Sequence, residues 1–102
     1  MTASKIWTRA EIENLINNSD VAVGRAIVAL FKRQTADEQA SESTNHHNNI
    51  GFCGWAAKNG SYYARWVMSG RTLDGKHLLK ARRIALHHAG QVTDIANEGR
   101  IR

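Results

Sequence analysis

Proline is missing from this chain, which removes the commonest helix breaker and agrees with an all-helical fold. Cysteine occurs once, at Cys53. That excludes an internal disulfide and makes a reducing interior such as the cytoplasm the expected location. No apolar run approaches the roughly 18 residues a membrane span needs, and no secretory leader is evident. Walker-type and Rossmann-type glycine signatures are also missing, and no repeat occurs at solenoid periods. At 102 residues the chain suits one domain with a real core and little room for a separate catalytic module.

Acidic residues are scarce in one half only. The net charge is +5. Residues 1–50 carry five Lys/Arg against six Asp/Glu, whereas residues 51–102 carry nine against three. The positive field therefore belongs to the second half, and such a field favours nucleic acid or an acidic protein surface as partner.

The longest stretch with one consistent period runs from Asp74 to Asn97. At 100° per residue Leu78, Ala81, Ile84, Ala85, Ala89, Val92 and Ile95 share one broad apolar face, while Lys76, Lys80, Arg83 and His87 line up opposite. The spacing predicts a single amphipathic helix about 36 Å long, with one side for the core and the other for an anion. Thr72 is its expected cap.

Toward the N-terminus, Thr8-Arg9-Ala10-Glu11 has the form of a capping box, with Trp7 and Ile12 as a hydrophobic staple. Ile12, Leu15 and Ile16 form a short stripe that ends at Asn17-Asn18-Ser19. Ser19 or Asp20 can cap a second helix through Val23, Ile27, Leu30 and Phe31, with Gly24 allowing close helix approach. Residues 35–49 turn polar and are expected to form an exposed loop, preceded by a second capping-box pattern at Thr35–Glu38. Asn59-Gly60 is an expected break. Ser61 would cap a third helix over 62–69, burying Tyr62, Tyr63, Trp66 and Val67, with Gly70 as the left-handed C-terminal residue.

His46, His47, Cys53, His77, His87 and His88 invite a metal reading, but paired ligands at zinc-motif spacing are missing, so neither a metal nor any other cofactor is expected. His88 falls inside the apolar arc and reads as a core histidine bonded to a nearby carbonyl. An HNH-type nuclease site from His46, His47, Asn48 and Asn49 lacks its strand-turn-helix scaffold. Asp37, Glu38 and Glu42 read as a solvated charge run, and Cys53 as a buried structural thiol. No catalytic residue is assigned, and the chain is not expected to be an enzyme. What survives is the basic face: Arg71, Lys76, Lys80, Arg82, Arg83 and His87 as candidate nucleic-acid-binding residues, with Lys58 and Arg65 extending the patch. Tyr62 or Trp55 would stack on bases if exposed.

The run from Ala29 to Gln39 (Ala-Leu-Phe-Lys-Arg-Gln-Thr-Ala-Asp-Glu-Gln), Asn49-Ile50-Gly51-Phe52, Gly70-Arg71-Thr72-Leu73 with Lys76, Ala81-Arg82-Arg83-Ile84 and Ala89-Gly90-Gln91 resembles a small module common on phage, plasmid and other mobile-element genomes. The module is similar to segments attached to bacterial helicase-like proteins. That resemblance covers most of the chain and implies a nucleic-acid setting; the family carries no assigned activity, so it transfers no catalytic residue. An acidic residue often follows the Gly-Phe segment there, where this chain has Trp55-Ala56-Ala57.

The expectation is therefore a single all-α domain, a compact bundle of about four helices with one long C-terminal amphipathic helix and a polar loop near 40–50. The expected function is that of a nucleic-acid-binding accessory protein of a phage or mobile element, with DNA or RNA as partner and no membrane. The alternative is a small adaptor or inhibitor that docks on an acidic surface of a host defence or replication enzyme.

Overall fold

A computed structural model describes residues 6–33 and 52–97. The polar segment expected near 40–50 and the capping pattern at Thr35–Glu38 lie outside the described residues. Within them are five α-helices and one 3-10 turn, and no strand: α1 (Arg9–Asn18), α2 (Asp20–Arg33), the turn Gly54–Ala56, α3 (Ala57–Met68), α4 (Gly75–His87) and α5 (Ala89–Asn97). None is long and apolar enough to cross a membrane.

The first helix starts as its sequence dictates. The Glu11 amide donates to the Thr8 hydroxyl while the Thr8 amide donates to the Glu11 carboxylate, which completes the capping box. Ile12 and Ile16 are buried, but Leu15 of the expected stripe is 40 % exposed. Ser19 then caps α2 by accepting from the Ala22 amide. Helix α2, rather than the C-terminal segment, is the centre of the bundle: it packs against α1, α3, α4 and α5, and Val23, Ile27 and Leu30 are wholly buried. At Gly24 a missing Cβ leaves α3 close, with the position a Cβ would take only 3.5 Å from Val67 Cγ1.

Helix α3 begins earlier than expected. It runs straight through Asn59-Gly60, and Ser61 is buried mid-helix rather than capping. The reason is tertiary. A Cβ at Gly60 would lie 2.6 Å from the Phe52 ring, so the glycine is where the helix makes room for a buried aromatic. The C-terminal end follows expectation: Gly70 adopts φ +93, its amide bonds to the Val67 carbonyl, and the Arg71 amide bonds to the Trp66 carbonyl. These are the two bonds of a Schellman motif. Of the four residues expected to bury a bulky side, Tyr63 is buried, Trp66 and Val67 are half-buried, and Tyr62 is 52 % exposed.

The C-terminal segment is two helices, not one. Its apolar arc is in place, with Ala81, Ile84, Ala85 and Ala89 buried and Leu78, Val92 and Ile95 packed against them. Asp74 replaces Thr72 as the N-cap. At His88 the backbone leaves the helical range (φ −104, ψ 22), and α5 restarts with the Val92 amide bonding to the His88 carbonyl. The far end of α5 closes the domain: the Trp7 amide donates to Asn97 Oδ1 (2.8 Å) and Asn97 Nδ2 donates to the Trp7 carbonyl (2.9 Å).

Candidate nucleic-acid interface

Lys76, Lys80, Arg83 and His87 lie on α4 at steps of four, three and four, which keeps them within about 60° of one another around the helix. All four are exposed. Among the described residues none of the three Lys/Arg side chains has an ion pair. From Lys76 to His87 the row spans about 16 Å along the axis, room for two or three phosphates of an extended strand. At the C-terminal end of the stripe the His87 ring meets Trp55 edge to face, with centroids 5.1 Å apart, and Trp55 is itself 54 % exposed. Tyr62, the other candidate for stacking, belongs to a separate cluster with Tyr63 and Trp66.

Two of the expected contact residues are used otherwise. Arg82 Nε donates to the Ile16 carbonyl (2.9 Å) and its guanidinium pairs with Asp20, with the side chain only 19 % exposed. By period Arg82 lies about 100° from Arg83, at the edge of the apolar arc; there its charge is neutralised and it ties α4 to the α1–α2 junction. Arg71 stacks over Trp66, 4.5 Å from the ring centroid, and lines a different surface. Arg65 lies over the Phe31 ring, while Lys58 is exposed.

That different surface is an apolar groove of about 840 Å³ between α2, α3, the loop before α4, and α5. Val21, Val28, Val67, Met68, Leu73 and Ile95 line it, with Arg25, Lys32, Arg33 and Arg71 among them. Arg33 Nη1 is buried with no hydrogen-bond partner among the described residues. The sequence carried only a faint signal of the groove. Val21 breaks the polar side of α2, whereas Met68 continues the buried face of α3 past Ala64, and both are more than half exposed.

Packing also assembles a cluster that local spacing does not reveal. Cys53, His87 and His88 bring one donor atom each to within 4.8 Å of one another. His88 is buried, as expected, and its Nε2 accepts from the Cys53 amide (3.0 Å). A neutral imidazole has one donor and one acceptor nitrogen, so Nδ1 carries the proton and donates to the Ile84 carbonyl (2.7 Å). Cys53 is half-buried rather than buried.

Burial pulls the His88 pKa below the usual 6.5, and neighbouring His87 adds to this, against the raising effect of the Ile84 bond. The unfolded chain therefore takes up a proton at a higher pH than the folded one. Stability from His88 is complete above pH 6.5 and is lost as pH falls from there through the lower folded value. An NMR titration of the His88 ring in the folded protein should show a midpoint below 6.5; a midpoint at or above it would contradict the buried, neutral assignment.

Comparison of the chain with protein-family models, curated proteins and solved structures finds no match to any of the three, so its function rests on its own geometry.

Proposed function

We propose that this protein is a nucleic-acid-binding accessory of a phage or other mobile element, a binding protein rather than an enzyme, and that α4 tracks the backbone of a single strand. The observation that carries this reading is the exposed row Lys76, Lys80 and Arg83, without an ion pair among the described residues and ending in His87 against exposed Trp55. The cations would neutralise successive phosphates, and the indole offers a π-face for a terminal base at a cost every base can meet. Arg71, stacked on Trp66, contributes long-range field more than direct contact, and Arg82, neutralised by Asp20, contributes neither.

Labelled single-stranded and duplex oligonucleotides, titrated at two salt concentrations, test it. About three phosphate contacts on a single strand give a slope of log affinity against log salt near −2. Trp55→Ala should weaken the single strand more than the duplex. No binding at low salt would sink the proposal.

The groove favours a second reading, an adaptor that docks on an acidic protein surface, because its lining joins apolar side chains to four cations and one carboxylate, Asp20, and is unlike a phosphate track. Pull-down from nuclease-treated bacterial lysate separates the two, since a protein partner survives that treatment and a bridging nucleic acid does not.

A further inference from the structure

We infer that Cys53, His87 and His88 form a binding site for a thiophilic divalent transition metal of the zinc type. The inference stands on geometry brought about by the fold, independently of nucleic-acid binding. One thiol and two imidazoles, from positions 35 residues apart in sequence, present donor atoms within 4.8 Å of one another. This donor set selects zinc-like ions over magnesium or calcium, which take oxygen.

Tetrahedral zinc, with bonds of about 2.0–2.3 Å, holds such donors about 3.4–3.6 Å apart. The cluster must therefore contract by little more than 1 Å from its outer limit. Two of its members can move: His87 is exposed at the last turn of α4, and Cys53 is half-buried just before the 3-10 turn. The third is already oriented. His88 Nδ1–H donates to the Ile84 carbonyl, the outer contact that commonly fixes a metal-binding histidine with Nε2 forward. On binding, Nε2 exchanges the Cys53 amide for the metal, and the Cys53 thiol releases its proton to solvent. Three protein donors leave a fourth position for water. A metal there would pin the chain entering at Phe52 to the break between α4 and α5, and would take His87 out of the basic stripe.

Cobalt(II) is the probe. Titrated into the reduced full chain, it should bind one ion per chain with a thiolate-to-cobalt charge-transfer band and the intense visible bands of four-coordination. Cys53→Ser should abolish the charge-transfer band, and His87→Ala should weaken binding by about tenfold or more. His77→Ala, a histidine outside the cluster, should bind like the parent. Because His88 also holds the fold, its role is read in the unsubstituted protein by ¹⁵N NMR with zinc: Nε2 should shift while Nδ1 stays protonated. Absence of the charge-transfer band, affinity unchanged in His87→Ala, or an unshifted His88 Nε2 would each overturn the site.

Discussion

Replacing Phe52 with alanine should cost about 3–5 kcal/mol, roughly a third or more of what holds a domain of this size together. Phe52 is among the largest fully buried side chains. Its ring packs over the backbone of α3 at Gly60 and meets His88 edge to face, with centroids 5.9 Å apart. Truncation would empty a space that neither a helix backbone nor a doubly hydrogen-bonded imidazole can collapse to fill, so the cavity part of the cost should persist. The converse change probes the same contact from the other side. Gly60→Ala puts a methyl 2.6 Å from the ring, and driving Phe52 aside should cost about 1–3 kcal/mol despite alanine's better helix propensity. Thermal unfolding followed by circular dichroism reads both. At about 4–8 °C per kcal/mol, Phe52→Ala should lower Tm by at least about 12 °C. A fall of only about 2 °C would mean that the ring does not anchor α3.

The double reversal Lys80→Glu with Arg83→Glu should remove nucleic-acid binding while leaving Tm near that of the parent. Both side chains are exposed and have no ion pair among the described residues, so the fold loses little. The surface loses two cations and gains two anions within one helical turn. If they supply two of about three phosphate contacts, the salt slope should fall from near −2 toward zero and affinity at low salt by tenfold or more. Arg25→Glu with Lys32→Glu, placed at the groove instead, serves as the contrast. Should that pair abolish oligonucleotide binding while the α4 pair does not, the contact surface is the groove and the α4 reading fails.

The parts of this protein written in its sequence are those set by neighbours within a turn or two. The Thr8–Glu11 capping box, the Ser19 cap, the α2 stripe of Val23, Ile27, Leu30 and Phe31, and the Gly70 termination all depend on local spacing and backbone chemistry. Spacing likewise placed the exposed row of α4, because a helical period settles which side chains share a face whatever the helix packs against. Asn59-Gly60 misled because glycine's propensity cost is about 1 kcal/mol, less than the burial of a phenylalanine that only an open backbone admits. Arg82 misled because its charge groups it with the stripe, although it lies about 100° from Arg83, and its partner Asp20 is 62 residues away.

Sequence by itself determined that the chain is helical, where α1 and α2 start and α3 ends, and which cations share the outer face of α4. Only the tertiary structure decided that α2 is the centre, that the long C-terminal segment divides at His88, that an apolar groove remains between α2, α3 and α5, and that Cys53 meets His87 and His88. The physical reason is the same in each case. Helix formation is governed by residues three or four apart, whereas the break, the groove and the cluster depend on which distant side chain fills or leaves a given space.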